Sequence, residues 1–413
     1  MININKIYNI IIFIFLFIIV SRGLFELIIN KKIAFLVQVL AIILFLLFMY
    51  INKKIKVHKF YFYINSFYLS LFIIIMLLSA FYTYTFNIRG APFFYTMIVL
   101  FLLITYLLIS ALCFKNFNNI NLDNIVIFLI LILICVAIYE QYYGFHMPGA
   151  ANYFPWVRPA SLTGSKQHYS IILSILTLII FQYWIILKKS KYLLISIIGS
   201  LGVIFSLTRS GAFIIMLTIG IYILLKMLYD GINPYKTLLV ILFIFIISYI
   251  FYAYKDDIIF IERILSSFNT NSPGNSDRVK SWLLAITIIG NSNLLIGEWT
   301  GIVTNATRTI TGEYSFVVES GPLQMILNFG FIGFILFYII LFTSYVRIKF
   351  LFFKSILIAC LLSTAVYQSI ETIPFMVLIA MLPIFSQHLQ YLVKYKGYKF
   401  EKQHYIHKHQ FLP

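Results

Sequence analysis

Charged residues are scarce in this sequence: only 11% of its 413 residues are Asp, Glu, Lys or Arg, whereas soluble domains contain about 25%. Hydrophobic residues make up 62% of the chain, and the mean hydropathy is +0.97. A bilayer cannot hydrogen-bond backbone amides, so such a chain must cross it as helices or as a closed barrel. The apolar runs are continuous over roughly 16 to 27 residues, which suits spanning helices and excludes a barrel's alternating pattern. The composition therefore predicts an all-α polytopic membrane protein.

Cysteines are also few, and the motifs of common cofactor sites are absent. Cys113, Cys135 and Cys360 lie within apolar runs and lack the spacing of a disulfide framework or of a metal site. The sequence contains no Walker loop, no glycine-rich dinucleotide motif, no His/Cys cluster and no serine-hydrolase elbow. We therefore expect neither a cofactor nor a bound metal.

Acidic residues are outnumbered, with 13 Asp and Glu against 31 Lys and Arg, which gives a formal net charge of +18. In a soluble protein such an excess would indicate a nucleic-acid partner. Here the basic residues lie mostly in short loops between apolar runs, where they set the orientation of spans. We therefore predict no nucleic-acid partner.

The apolar runs predict about twelve transmembrane helices that form a single transmembrane domain over residues 1–413. The predicted spans are 7–29, 33–51, 60–86, 93–114, 125–143, 168–187, 192–207, 211–229, 237–254, 321–346, 352–370 and 373–393. A long loop at 255–320 separates the ninth span from the tenth, and a shorter one lies at 144–167. Long ordered loops usually carry function. In the longer loop we expect an amphipathic helix from Asp277 to about Ile289, with Asp277 as its N-cap.

Basic segments indicate the orientation of these spans. They lie at 53–59, at 188–191, around 347–354 and from 394 onward. With twelve spans all four fall on one side, which should be the cytoplasmic side. Both termini would then be cytoplasmic, and the two longer loops would be extracytoplasmic. We expect the protein in the cytoplasmic (inner) membrane.

Arginines outside the spans are the first candidates for chemistry. The planar guanidinium group binds phosphate through two parallel hydrogen bonds and remains charged. Arg158, Arg209 and Arg278 each lie where a span meets the outer surface or in a helix against it, and could converge on a pyrophosphate. Alternatively, each could be an interfacial anchor that reaches toward lipid headgroups. Arg209 favours the first interpretation because its turn is short, and Gly211 permits a close approach of the backbone.

Acidic groups and one histidine are candidates for a general base. Glu319 stands at the start of the tenth span and could accept a proton from a substrate hydroxyl. Alternatively, it could complement the positive end of the helix that follows, whose Pro322 suits a first-turn position. His168 is a second base candidate, and Glu140 and Glu371 rank below it.

Four segments of the chain resemble, in order, motifs of the O-antigen polymerase and O-antigen ligase superfamily. Residues 207–212 (Leu-Thr-Arg-Ser-Gly-Ala) resemble its arginine-bearing turn, and residues 277–282 resemble its arginine followed four positions later by Trp282. Residues 319–333 are similar to the stretch that closes its large loop, and residues 158–164 resemble an upstream Arg-to-Gly motif. Together with the twelve spans, the resemblance extends over residues 150–335.

The resemblance implies a membrane glycosyltransferase of the GT-C type, active in O-antigen, lipopolysaccharide or capsule synthesis. Its substrate would be an undecaprenyl-pyrophosphate-linked oligosaccharide at the outer face of the membrane. Further partners would be membrane lipids, a chain-length regulator and a flippase. Ligases of the superfamily generally carry a histidine where the large loop closes, and this chain has Glu319 there. The resemblance therefore points to the polymerase branch.

Roles follow for particular residues under this resemblance. Arg209 and Arg278 would neutralise the pyrophosphate leaving group, and Glu319 would deprotonate the acceptor hydroxyl, so that a single displacement inverts the anomeric carbon. The expected substrate-binding residues are Arg158, His168, Arg308 and Trp282. Aromatic residues of the loops could stack on sugars or belong to the interfacial belt; they are Tyr153, Trp156, Trp299 and Tyr314.

Two other functions share the size and charge of this chain. A flippase for the same lipid-linked oligosaccharide would place ionisable groups near the bilayer midplane. The predicted spans are nearly free of charge there, which favours chemistry at the surface. The second alternative is a ligase that transfers finished glycan to another acceptor.

Overall fold

Helices dominate the fold, in agreement with the predicted all-α class. The computed structural model describes residues 4–51, 55–86, 92–114, 120–153, 156–231, 275–304 and 316–395. The helices are α1 (Ile4–Val20), α2 (Arg22–Ile28), α3 (Lys31–Ile51), α4 (Lys59–Phe86), α5 (Pro92–Ala111), α6 (Leu122–Tyr143), α7 (Lys166–Leu187), α8 (Ser190–Phe205), α9 (Arg209–Asp230), α10 (Asn275–Asn291), α11 (Gly321–Phe342), α12 (Leu351–Ser363) and α13 (Ile373–Tyr395).

Eight helices of the described residues are long and apolar enough to cross a membrane, and the bent pair α1–α2 brings the number to nine. This confirms a multi-pass membrane protein. The predicted count of twelve is not confirmed among the described residues. Helices α8 and α12 have 16 and 13 residues, shorter than the roughly 20 that a span needs. The predicted span 237–254 lies outside the described residues.

Two predicted spans differ in shape from the observed helices. The span predicted over 7–29 is broken at Ser21, where α1 and α2 meet at a bend of 69°. The bend lets α2 pack on the 3₁₀ turn Ser161–Thr163. Gly23 permits this close contact, because a Cβ at Gly23 would lie 2.4 Å from the Gly164 nitrogen. The span predicted over 352–370 ends at Ser363, and the following turn docks on α11 through a 2.8 Å hydrogen bond from the Gly321 N–H to the Thr364 carbonyl.

Two short antiparallel strand pairs accompany the helices and were not expected from the sequence. Strand β1 (Ile55–Val57) pairs with β2 (Leu112–Phe114), and β3 (Ala151–Tyr153) pairs with β4 (Trp156–Arg158). The first pair joins the segment after α3 to the segment after α5. These two connections therefore lie at the same end of the bundle.

Helix α7 lies at the centre of the bundle. It packs against α6, α8, α9 and α13, and 16 of its 22 residues are buried. Five of the 22 residues of α9 are buried, so α9 is a peripheral helix.

Helix α10 confirms the helix expected in the long loop but begins two residues earlier than predicted. Asp277 lies in its first turn, so the predicted N-cap position was wrong. With the following turn, α10 packs along the first half of α11 around a small core formed by Ala285, Ile302, Val303, Val318 and Leu327. Helix α11 is interrupted at Gly330, whose φ is 69°.

Candidate functional site

Three residues predicted from the sequence meet around Tyr367 at one end of the bundle. The Nε of Arg278, on α10, donates a hydrogen bond to Oε2 of Glu319, two residues before α11 begins. The guanidinium carbon of Arg278 lies 5.3 Å from the centre of the Tyr367 ring. The charge of Arg209 also acts on the Tyr367 hydroxyl, and Phe213 of α9 contacts the same ring at 6.3 Å between centroids. We call Arg209, Arg278, Glu319 and Tyr367 the arginine cluster.

The arginine cluster is open to a ligand on its carboxylate side. The Glu319 side chain is 43% exposed, whereas that of Arg278 is 17% exposed. The arrangement therefore offers two guanidinium groups for an anion and a carboxylate that can accept a proton.

Tyr367 is the member of the cluster that the sequence did not reveal. It lies in the turn after α12, which had been assigned to a membrane span. Burial raises the pKa of the Tyr367 phenol above its ordinary value, and the positive charges of Arg278 and Arg209 act in the opposite direction. The hydroxyl therefore stays protonated at neutral pH and can donate a hydrogen bond.

Arg209 is held by the contact between α9 and α7. It is the first residue of α9, and the N–H of Gly211 donates to the Ser170 hydroxyl at 3.1 Å. A Cβ at Gly211 would lie 2.2 Å from the same hydroxyl oxygen, so the close approach predicted at this glycine is present. The preceding Thr208 hydroxyl donates to the Lys166 carbonyl at 3.3 Å. Arg209 is thereby fixed beside the start of α7.

His168 and Arg158 lie on neighbouring elements of the same end. His168 is in the first turn of α7. Arg158 ends strand β4, opposite Ala151 of β3. The 3₁₀ turn Ser161–Thr163, which follows β4, packs on α7, and the start of α7 contacts the turn that carries Arg209.

Trp282 packs on the small core between α10 and α11 rather than in an open loop. Its ring N–H is buried and has no hydrogen-bond partner among the described residues, a condition that costs about 1–3 kcal/mol. One helical turn separates it from Arg278. Trp299 packs on the same small core, and its backbone N–H donates to the Leu327 carbonyl at 3.1 Å.

The two lower-ranked acids have structural contacts. Glu140 is fully buried and accepts hydrogen bonds from the N–H groups of Met147 at 2.8 Å and Ser161 at 2.6 Å, which ties down the 144–161 loop. Glu371 accepts a 3.0 Å hydrogen bond from Gln368 and a shorter one from Gln324. This second network braces the turn that carries Tyr367 against α11. The amide side chains of Gln324 and Gln368 were not identified as candidates from the sequence, although they are polar residues in an apolar region.

Arg308 and Tyr314 lie outside the described residues. Within the described ranges, no three His, Cys, Asp or Glu side chains are grouped closely enough to hold a metal ion. No family model, curated protein or solved structure matches the chain. Function must therefore be inferred from the arginine cluster and its surroundings.

Proposed function

We propose that the protein is a polysaccharide polymerase, a membrane glycosyltransferase of the GT-C type. It transfers a glycan from undecaprenyl pyrophosphate to a sugar hydroxyl of a second lipid-linked repeat unit at the outer face of the cytoplasmic membrane. The observation that carries the proposal is that Arg209, Arg278 and Glu319, distant in sequence, meet around Tyr367 at one end of an apolar bundle. Two guanidinium groups beside a carboxylate match a reaction with an anionic leaving group and a hydroxyl nucleophile.

The reaction is a single displacement at the anomeric carbon of the donor glycan. The acceptor oxygen forms the new glycosidic bond while the bond to the pyrophosphate oxygen breaks, and the electron pair leaves with the pyrophosphate. Glu319 accepts the proton of the acceptor hydroxyl. Arg209 and Arg278 stabilise the charge that develops on the leaving group, the role that a metal ion plays in many transferases. Attack from the face opposite the leaving group inverts the anomeric carbon.

The ion pair between Arg278 and Glu319 suggests how the base is released. Arg278 pairs with Glu319, and a pyrophosphate competes for the same guanidinium group with a larger charge. When Arg278 turns to the phosphate, the carboxylate is left to the acceptor hydroxyl. The Tyr367 hydroxyl is a donor near this point for phosphate or sugar oxygens. His168, at the start of α7, and Arg158, at the end of β4, are assigned to the acceptor.

Purified protein with a lipid-linked repeat unit tests the proposal. The expected result is a ladder of products with release of undecaprenyl pyrophosphate, and loss of the ladder in Arg278→Ala. Lys191→Ala is the matched control because Lys191 also pairs with a carboxylate, that of Asp123, in the separate contact between α6 and α8. Absence of any ladder from the wild-type protein, or equal loss in both variants, would contradict the assignment.

A further inference from the structure

Helix α10 runs beside α11 and in the same direction. Arg278, near its start, contacts Glu319 just before α11 begins. Farther along, Trp282, Ala285 and Ile289 share the small core with Leu323 and Leu327 of α11. Arg278 contacts the residue just before α11, and Leu294, after the end of α10, contacts Phe331 within α11, so α10 descends along the first half of α11.

The turn after α10 reaches deep into the bundle. The Leu294 carbonyl accepts a 2.8 Å hydrogen bond from the N–H of Phe331, and Phe331 is ten residues after the first residue of α11. At 1.5 Å per residue this is about 15 Å, or half of a hydrocarbon layer about 30 Å thick. Because α11 is long and apolar enough to cross a membrane, the turn packs about halfway along the length of α11 that a span needs.

The chain then returns toward the level of Glu319. The Glu298 and Trp299 N–H groups donate to the Leu327 carbonyl, and the Val318 N–H donates to the Val303 carbonyl at 3.4 Å. Irregular backbone at membrane depth is stable only where protein satisfies its polar groups, and these contacts do so. Residues 275–304 therefore run along α11 and back toward Glu319, a path not expected from the sequence, and we call this segment the re-entrant hairpin.

The outer face of α10 changes from charged to apolar below Arg278. Asp277 and Lys280 are exposed beside Arg278. Below them, Leu283, Leu284 and Ile286 form an exposed apolar strip, and the exposed polar residues Thr287, Asn291 and Asn293 separate this strip from Leu294 and Leu295 in the turn. A charged upper end above an apolar strip has the polarity of a lipid with an anionic headgroup.

We propose that this strip binds the isoprenoid chain of the lipid-linked donor, whose pyrophosphate is held by Arg278 and Arg209. The inference rests on the proposed function and adds a site for the lipid tail to it. The strip begins on the helix that carries Arg278, within two helical turns of that residue. A chain attached to a pyrophosphate at Arg278 therefore meets this face as soon as it enters the membrane.

Photo-crosslinking tests the tail site directly. Wild-type protein in phospholipid vesicles is incubated with a polyprenyl pyrophosphate that carries a diazirine on its chain, and labelled peptides are mapped after illumination. We expect label between residues 283 and 295 that is removed by excess unlabelled polyprenyl pyrophosphate. The same label should be lost in Arg278→Ala and in Arg209→Ala, with thermal stability measured for both. The exposed apolar face of α4, which includes Leu71, Ile74 and Leu77, is the internal control for contact with bulk lipid.

The outcomes separate the tail site from the proposed function. Competed, arginine-dependent label on another helix would overturn the tail site and leave the pyrophosphate site in place. Label on the re-entrant hairpin that resists competition, as on α4, would mean that bulk lipid alone covers the strip and would also overturn the tail site. Absence of competed label anywhere in the chain would overturn both assignments.

Discussion

Among single residues, replacing Arg209 gives the sharpest test of the proposed pyrophosphate site. Its backbone is fixed by the packing of Gly211 on Ser170, so a shorter side chain cannot be compensated by a shift of α9. We expect Arg209→Ala to abolish polymer formation, because losing one partner of a buried charge pair costs roughly 2–5 kcal/mol. Arg209→Lys should also be poor, since an ammonium group cannot form two parallel hydrogen bonds to phosphate.

The measurement is polymer length in cells that contain equal amounts of each variant in the membrane. Normal polymer from Arg209→Lys would mean that the residue only anchors the helix at the interface.

Replacing Glu319 distinguishes two roles for its carboxylate, that of a general base and that of a structural partner. If its carboxylate accepts the acceptor proton, Glu319→Gln should lower turnover by roughly two or more orders of magnitude while donor binding persists. If it only complements the start of α11 and pairs with Arg278, the change should cost roughly 0.3–1 kcal/mol of stability and leave turnover nearly intact. Turnover and donor binding by the purified Gln variant distinguish the two roles. Loss of donor binding instead would assign Glu319 to substrate recognition.

Charge explains why part of the arginine cluster could be predicted. In a chain with few ionisable groups, Arg209, Arg278 and Glu319 stand out at the ends of apolar runs. Tyr367 does not stand out in the sequence, because the chain has 30 tyrosines and this one directly follows an apolar run. Its role depends on a turn whose position is set by the contact between Thr364 and Gly321. Such long-range contacts leave no local signal in the sequence.

At the scale of elements, the break in α11 makes the re-entrant hairpin possible. Gly330 has φ 69° and ψ −177°, a conformation that is essentially restricted to glycine and costs other residues roughly 1–3 kcal/mol. A Cβ there would also lie 2.1 Å from the Leu295 carbonyl oxygen. We expect Gly330→Ala to lower the melting temperature of the purified protein and to reduce polymerisation.

Gly220→Ala is the matched control for this change. Gly220 lies within α9, and a Cβ at this position would meet nothing within 4 Å. Alanine should stabilise the helix there by roughly 0.5–1 kcal/mol. Equal melting temperatures for the two alanine variants would show that the backbone at Gly330 is not constrained as described.

Hydropathy located most helices within a few residues but not their interruptions. The predicted span 168–187 corresponds to α7 at Lys166–Leu187, since a long apolar run has only one way to satisfy its backbone in lipid. The bend at Ser21 and the end of α12 depend instead on tertiary contacts. The sequence predicted helix α10 but did not predict that it descends along α11, because that path depends on hydrogen bonds to Leu327 and Phe331.

At the scale of the whole molecule, the arginine cluster and the β1–β2 pair mark the two ends of the bundle. The arginine cluster lies at one end. The β1–β2 pair and Arg347, which donates to the Leu112 carbonyl at 3.1 Å, lie at the other. The positive-inside bias predicts that this second end, with both termini, is cytoplasmic.

Cysteine labelling checks that orientation. In a variant whose native cysteines are replaced, we expect a membrane-impermeant maleimide added outside intact cells to label Ser276→Cys and to leave His58→Cys unlabelled. The second position should react only after the membrane is opened. The reverse pattern would invert the topology and move the arginine cluster to the inner face.

The polar face of α4 has a consequence for how the chain is made. The Ser79 hydroxyl donates to the Asn328 carbonyl, 249 residues later, and Asn65 accepts a hydrogen bond from Thr343, 278 residues later. At about 5–20 residues per second, a ribosome needs roughly 12–50 s to bridge the first interval. Until then α4 stands in the membrane with polar groups that only its own backbone or the insertion machinery can satisfy. The polar groups of this early span thus gain their partners only when the last third of the chain has been synthesised. Translation that stops before residue 300 leaves a nascent protein that membrane proteases can recognise.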